Sequence, residues 1–163
     1  MNNLFFFLQS KGVDYQSIIN GKVIDIGGGN GSETFTFKEN GFEVTLIDLK
    51  KGIDATTYIY GEEKFDIAIA KNSLPFMKES QMDVMANVYK ALKKGGYFYG
   101  TVFGKDDPWA KAGLVTSLDF PSVLGFLEEI GFRMIWQCEE KGVGKTMKGD
   151  YKDWHILKFL IRK

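Results

Sequence analysis

The chain is poor in the residues that build metal centres and covalent cross-links. Only one cysteine, Cys138, and one histidine, His155, occur among its 163 residues. A single cysteine excludes an intramolecular disulfide and a cysteine-based zinc cluster, and it favours a reducing compartment. We therefore expect a cytoplasmic protein without a metal site.

An excess of charge of either sign is also missing, because 21 Lys and Arg balance 21 Asp and Glu. No global field attracts nucleic acid or an anionic membrane, so both are disfavoured as partners. The apolar run from Leu4 to Leu8 is too short for a membrane span and lacks the basic start of a signal peptide, which predicts a packed helix. A small-molecule partner is the default expectation, and the sequence leaves a homodimer open.

Strand-like and helix-like runs alternate along the chain, which indicates one α/β domain over residues 1–163 with a mainly parallel sheet. Strands are predicted at 23–26, 43–47, 65–70 and 97–103, and helices at 32–40, 79–92 and 122–130. The last third predicts two strands, 132–139 and 154–162, whose short polar connection requires an antiparallel hairpin. Only 16 residues separate Asp48 from Phe65. They leave room for a short strand at 56–60, with its preceding helix shrunken or absent.

A buried strand runs into a glycine-rich turn at residues 23–31, with the sequence VIDIGGGNG. The alternating glycines allow a tight turn and a close approach of the backbone to a ligand. A dinucleotide-binding G-x-G-x-x-G motif that starts at Gly27 would need glycine at position 32, which is Ser32. The pattern D-x-G-x-G-x-G is matched instead, from Asp25 to Gly31. In this form the turn resembles that of class I S-adenosylmethionine-dependent methyltransferases.

The resemblance continues in order through most of the chain. Residues 65–76 resemble the fourth-strand motif of small-molecule methyltransferases, and residues 91–98 resemble the L-x-x-G-G turn before their fifth strand. Residues 103–109 and 154–157 are similar to the tellurite-resistance methyltransferase subgroup. The resemblance implies S-adenosyl-L-methionine as cofactor. It also implies a Rossmann-like, doubly wound, mostly parallel sheet of strand order 3-2-1-4-5-7-6, which ends in an antiparallel hairpin.

The cofactor-binding residues are expected in the glycine turn, after the strand at 43–47 and after the strand at 65–70. Asp48 ends the second strand, where a carboxylate can accept hydrogen bonds from both ribose hydroxyls. On the resemblance, Asp54 faces the adenine amino group. The full set comprises Asp25, Gly27, Gly28, Gly29, Asn30, Gly31, Asp48, Leu49, Asp54, Ala55, Lys71 and Asn72.

The acceptor side is predicted from residues near the carboxyl ends of strands, where open α/β sheets bind ligands. The candidate catalytic residues are Asn72, Asp106, Trp109 and His155. Asp106 and its neighbour Asp107 could orient a substrate, although paired loop aspartates are usually solvated. Trp109 either forms an aromatic wall or caps the core. His155 is favoured as a core-facing imidazole over a general base, because it shares a strand face with apolar residues.

These expectations combine into methyl transfer to a small molecule by in-line displacement, catalysed mainly by positioning. An enzyme of the methyltransferase class is therefore predicted. The alternative is a degenerate, non-catalytic domain that binds the cofactor and acts through a protein partner. A nicotinamide-dependent oxidoreductase is disfavoured by Ser32 and by the terminal hairpin.

Overall fold

A computed structural model describes residues 3–163, which form one six-stranded sheet with helices on both faces. The helices are α1 (Leu4–Ser10), α2 (Ser32–Glu39), α3 (Gln81–Ala91), α4 (Pro108–Lys111) and α5 (Phe120–Glu129). The strands are β1 (Lys22–Ile26), β2 (Glu43–Ile47), β3 (Phe65–Ala70), β4 (Leu92–Phe103), β5 (Arg133–Lys145) and β6 (Tyr151–Arg162). Short 3-10 segments lie at Tyr15–Ser17, Leu49–Lys51 and Leu74–Ser80.

The strand order is β2-β1-β3-β4-β6-β5. The first four of these strands are parallel, whereas β6 pairs antiparallel with both β4 and β5. The predicted parallel sheet with an antiparallel C-terminal hairpin is therefore confirmed. So is the predicted order of the strands, apart from the third.

The predicted short strand at 56–60 is wrong. Residues 54–57 form a turn instead, in which the N–H of Thr57 donates to the carbonyl of Asp54 at 3.2 Å. The chain then packs Tyr60 into the core, with its hydroxyl on the carbonyl of Ala55 at 2.8 Å. The helix before this segment is reduced to the Leu49–Lys51 turn. Without a crossover helix the segment does not reach a parallel position beside β2, which stays the edge of the sheet.

Alternate residues of each central strand feed two separate cores, as the pleat requires. One core receives Val23 and Ile67 and is covered by α1 and α2, whose Leu8 and Phe37 are fully buried. The other receives Ile24 and is covered by α3 and α5. Over residues 3–163 no helix has the length and apolarity that a membrane crossing requires.

The β5–β6 hairpin is longer than predicted and projects past the rest of the sheet. Its turn closes with the N–H of Thr146 donating to the carbonyl of Asp150 at 2.7 Å. The turn reaches the glycine-rich loop, since a Cβ at Gly29 would lie 3.7 Å from Cε of Met147. The hairpin therefore crosses the edge where the parallel strands end.

Candidate functional site

The glycine-rich turn that follows β1 has a backbone that other residues adopt with difficulty. Gly27, Gly29 and Gly31 have φ values of +69°, +56° and +78°, in the left-handed region that favours glycine. The turn is held by the N–H of Gly27, which donates to the carbonyl of Ile47 at 2.6 Å. Gly31 then precedes α2, which starts at the same edge of the sheet.

Asp25 lies beneath this turn. Its side chain is buried, and Oδ2 accepts a hydrogen bond from the hydroxyl of Thr34 at 2.6 Å. Burial raises the pKa of the Asp25 carboxyl above its usual range. A Cβ at Gly28 would lie 2.5 Å from the same oxygen and would also overlap Leu46. The structure therefore places Asp25 as a support of the loop from behind.

Asp48 connects the turn to the end of β2. Its Oδ2 accepts from the N–H of Gly29 and its Oδ1 from the N–H of Lys50, each at 2.8 Å. A carboxylate oxygen has two lone pairs, so both oxygens keep the capacity to accept another hydrogen bond. Asp48 also lines the adjacent cleft.

This cleft, called here the strand-end cleft, has a volume of about 670 Å³. It brings together six of the predicted cofactor residues, Gly27, Asp48, Leu49, Asp54, Ala55 and Asn72. The prediction missed the contribution of the segment after β3, which supplies Ser73 and residues 76–80. Ser73 donates to the carbonyl of Ile26 at 2.6 Å, and a Cβ at Gly27 would overlap it. Nothing in the local sequence pattern indicates this contact, because it joins the ends of two different strands.

Asp54 lies at the exposed end of the strand-end cleft. Its Oδ1 accepts from the N–H and the hydroxyl of Thr56, both at 2.8 Å. These hydrogen bonds favour the ionised form and lower the pKa of Asp54. A carboxylate is thus available at the place where the resemblance puts the adenine amino group, and that role stays a prediction.

A second cavity, called here the sheet-face cavity, has a volume of about 640 Å³. Asn72 belongs to the lining of both cavities. Asn72 has a φ of +55°. Its N–H donates to Oγ1 of Thr101 at 2.7 Å, and that hydroxyl donates to Oδ1 of Asn72 at 3.2 Å. The side-chain amide nitrogen of Asn72, Nδ2, has no hydrogen-bond partner among residues 3–163.

Lys71 lies in the lining of the sheet-face cavity rather than in the strand-end cleft. Its ammonium group forms an ion pair with Glu33, at the start of α2. Asn30 is exposed, and its side chain accepts from the N–H of Ser32 at 3.1 Å. Neither residue belongs to the lining of the strand-end cleft.

The other candidate catalytic residues, Asp106, Trp109 and His155, line neither cavity. His155 is buried, and its Nδ1 accepts from the N–H of Asp106 at 3.1 Å. Its Nε2 lies 2.9 Å from a carboxylate oxygen of Glu139, so these contacts assign the proton to Nε2. The ring also packs edge-on against Phe120. This is the core-facing imidazole that the strand pattern favoured.

Trp109 and Asp107 belong to a buried ion-pair cluster that the sequence did not indicate. Asp107 is completely buried, so its interpretation as a solvated loop residue is wrong. It forms an ion pair with Lys152 at 2.5 Å. The same ammonium group lies 4.0 Å from the ring centroid of Trp109 and 4.2 Å from that of Trp154. Asp107 lies in a loop and Lys152 near the start of a strand, and no local sequence pattern predicts that they pair.

No group of three or more His, Cys, Asp or Glu side chains that could hold a metal ion occurs in the described part of the chain. The carboxylate of Asp106 forms an ion pair with the ammonium group of Lys141 at 2.9 Å.

Comparison with known proteins identifies the class to which this fold and site belong. The model of the Methyltransferase domain family matches residues 9–135. The chain therefore belongs to this family. None of the curated proteins matches the chain significantly.

Solved structures share the fold over nearly the whole chain. A methyltransferase from Mesorhizobium loti, described as S-adenosylmethionine-dependent, has a TM-score of 0.73 at 15% identity and covers 98% of this chain and 97% of its own. A SAM-dependent methyltransferase from Methanosarcina mazei has a TM-score of 0.68 at 14% identity, with coverages of 91% and 95%.

A third structure is 1,6-didemethyltoxoflavin-N1-methyltransferase from Burkholderia thailandensis, with bound 1,6-didemethyltoxoflavin and S-adenosylhomocysteine. Its TM-score is 0.64 at 19% identity, and the match covers 95% of this chain and 76% of that one. At 14–19% identity, the likeness to these three structures shows the shared fold.

Proposed function

We propose that this chain is an enzyme that binds S-adenosyl-L-methionine in the strand-end cleft and methylates a small molecule held in the sheet-face cavity. One observation carries the proposal: two cavities of about 670 and 640 Å³ share Asn72 in their linings. Methyl transfer requires a donor and an acceptor in adjoining compartments, in line with each other. Both volumes lie within the range of about 300–1,000 Å³ that is usual for small-molecule sites.

The residues of the strand-end cleft fit the proposed cofactor. Asp48 retains acceptor capacity for the ribose hydroxyls, and the open backbone of the glycine turn faces the same edge. Apolar side chains of Leu49 and Ile53 offer surfaces for a purine ring. When bound, S-adenosyl-L-methionine supplies an electrophilic methyl group on a sulfonium that leaves as a neutral thioether.

The chain's own contribution to catalysis is then mainly positioning. Asn72, which lines both cavities, is held rigidly by Thr101. Tyr99 lines the acceptor side, and burial raises the pKa of its phenol far above neutral pH. The phenol therefore stays protonated and can donate a hydrogen bond, but it is not a base. Alignment alone contributes up to about 7–11 kcal/mol in model reactions.

Isothermal titration with S-adenosylmethionine, S-adenosylhomocysteine and NAD tests the cofactor assignment. We expect binding of both sulfur compounds and none of NAD. Asp48→Ala should weaken binding by about 1–3 kcal/mol through the loss of charge-assisted hydrogen bonds. Asp83→Ala is the matched control, because Asp83 is exposed on α3 and lines neither cavity. Binding of NAD alone, or equal affinities of the two variants, would contradict the assignment.

A second candidate function is a cofactor-binding domain without turnover that acts through a protein partner. It is favoured by the exposure of the adenine side, where the third strand is missing and the Leu49 side chain is 74% exposed. The two candidates differ in turnover. Methyl transfer from labelled cofactor to phenols, thiols, amines, selenite or tellurite would support the enzyme, and the last two acceptors also test the predicted tellurite-resistance subgroup. Cofactor binding without transfer to any of them, together with a partner recovered in pull-downs, would favour the second candidate.

A further inference from the structure

The walls of the sheet-face cavity carry a chemical preference of their own. Four aromatic side chains line it, from α1 and from the last three strands of the sheet, namely Phe7, Tyr99, Trp136 and Trp154. The Phe7 ring lies edge-on to Trp136, with centroids 4.9 Å apart, and edge-on to Tyr99 at 6.2 Å. The rings of Phe103 and Trp109 pack edge-to-face against Trp154. Preformed aromatic surfaces of this kind favour flat π systems as ligands.

The charges around the cavity offer little to an anionic ligand. Three lysines belong to the lining, Lys71, Lys141 and Lys158. Each is paired with a carboxylate: Lys71 with Glu33, Lys141 with Asp106 at 2.9 Å, and Lys158 with Glu140 at 2.7 Å. Each carboxylate balances the charge of its lysine, so the three pairs together add no net positive charge that would attract an oxyanion. A volume of about 640 Å³ is also far larger than a small oxyanion needs.

Two neutral polar residues, Asn72 and Tyr99, belong to the lining of the sheet-face cavity, and Asn72 also lines the strand-end cleft. The side-chain amide nitrogen of Asn72 has no partner among the described residues and can donate a hydrogen bond to a ligand. The protonated hydroxyl of Tyr99 is a second donor. These groups can hold one polar edge of a ligand whose remainder lies between aromatic walls. On the other side, residues Glu140–Gly144 of the β5–β6 hairpin belong to the lining.

We propose that the sheet-face cavity binds a flat, uncharged aromatic molecule with a hydroxyl group or ring nitrogen at its Asn72 edge. The identification of this molecule as the methyl acceptor rests on the proposed function. In the transfer, a lone pair of the acceptor oxygen or nitrogen forms the new bond to the methyl carbon. The electrons of the broken C–S bond stay on sulfur. A hydroxyl acceptor then releases its proton to water, whereas a ring nitrogen that carries no proton becomes a methylated cation.

Binding measured by calorimetry, with S-adenosylhomocysteine present, tests the ligand class without requiring turnover. The probes are 2-naphthol and its saturated analogue 2-decalol, which are both neutral and have the same heavy atoms, and selenite as an oxyanion. We expect 2-naphthol to bind at least about tenfold more tightly than 2-decalol, and selenite not to bind. Equal affinity for 2-naphthol and 2-decalol, or binding of selenite without 2-naphthol, would overturn the proposal.

Two substitutions on different elements locate the effect. Trp136→Leu and Phe7→Leu should each weaken 2-naphthol about threefold to tenfold and leave 2-decalol nearly unchanged. Phe6→Leu is the matched control, since Phe6 adjoins Phe7 on α1 but does not line the cavity. Unchanged 2-naphthol affinity in both cavity variants would place the ligand elsewhere and overturn the proposal. Affinity for S-adenosylhomocysteine is measured on the same samples. If the wild type does not bind it, the proposed function fails, and this outcome is distinct from a failure of the ligand class.

Discussion

Replacement of Lys152 by methionine should destabilise the protein strongly, although Lys152 lies near the tip of a hairpin. Its side chain is 6% exposed and that of its partner Asp107 is fully buried. Methionine has a similar length and retains contact with the rings of Phe103, Trp109 and Trp154. The substitution therefore removes the charge while it preserves most of the packing.

The expected loss follows from the charge that remains. Without Lys152, Asp107 keeps a hydrogen bond from the N–H of Trp109 at 3.0 Å and a longer contact with the N–H of His155 at 3.4 Å. Neither bond neutralises a carboxylate that is removed from water. Breaking a buried ion pair in this way typically costs about 3–5 kcal/mol. The loss of cation–π contacts adds to the cost.

Urea denaturation, followed by circular dichroism and by tryptophan fluorescence, measures the free energy of unfolding of each variant. Lys141→Met is the matched control, because the neighbouring Lys141–Asp106 pair has side chains that are 58% and 42% exposed. Exposed pairs contribute about 0–1 kcal/mol. The double variant Asp107→Asn with Lys152→Met should recover most of the loss, since no unpaired charge then remains. A loss below about 1 kcal/mol for Lys152→Met by both probes, equal to that of the control, would refute the reasoning.

Three further outcomes are expected. Gly28→Ala should abolish cofactor binding in calorimetry, because the new Cβ would collide with Asp25 and Leu46; retained affinity would show that the loop adjusts. Burial raises the pKa of Asp25 in the folded state, so ionisation of this carboxyl opposes folding. The free energy of unfolding of the wild type, taken relative to that of Asp25→Asn, should therefore fall as the pH rises from about 3.8 to the raised pKa of the folded state. An unchanged difference in urea midpoints over that range would contradict this. Leu8→Ala should lower the free energy of unfolding by about 2–5 kcal/mol because Leu8 is fully buried, whereas Phe6→Ala, at 60% exposure, should change it little; equal losses would contradict the packing assigned to α1.

Much of the fold could be predicted because local patterns carry it. The alternation of strand and helix runs and the short polar connection before β6 required a parallel sheet with an antiparallel end. The lean segment after Asp48 also predicted a reduced crossover. It did not predict the loss of the strand at 56–60, because packing of Tyr60 against the core turns the chain back, and that packing depends on residues distant in the sequence.

The candidate site divides in the same way. Residues within two positions of a strand's end, such as Asp48 and Asn72, could be placed at the carboxyl edge by their position alone. The position of Asp25 behind the turn, and the exclusion of Asp106 and Trp109 from both cavities, depend on the directions of side chains after the chain has turned. Local sequence does not fix those directions.

By itself, therefore, the sequence determined the alternation of strands and helices, the hairpin and the glycine-rich turn, because strand pleat, glycine conformation and loop length act over a few neighbouring residues. The order of the strands was implied by the resemblance to methyltransferases. The tertiary structure alone decided that two cavities share Asn72 in their linings, that the hairpin lines one of them, and that Lys152 lies among aromatic rings beside Asp107. Each of these features joins segments far apart in the chain. Their contacts arise only when the sheet brings the segments together and removes them from water.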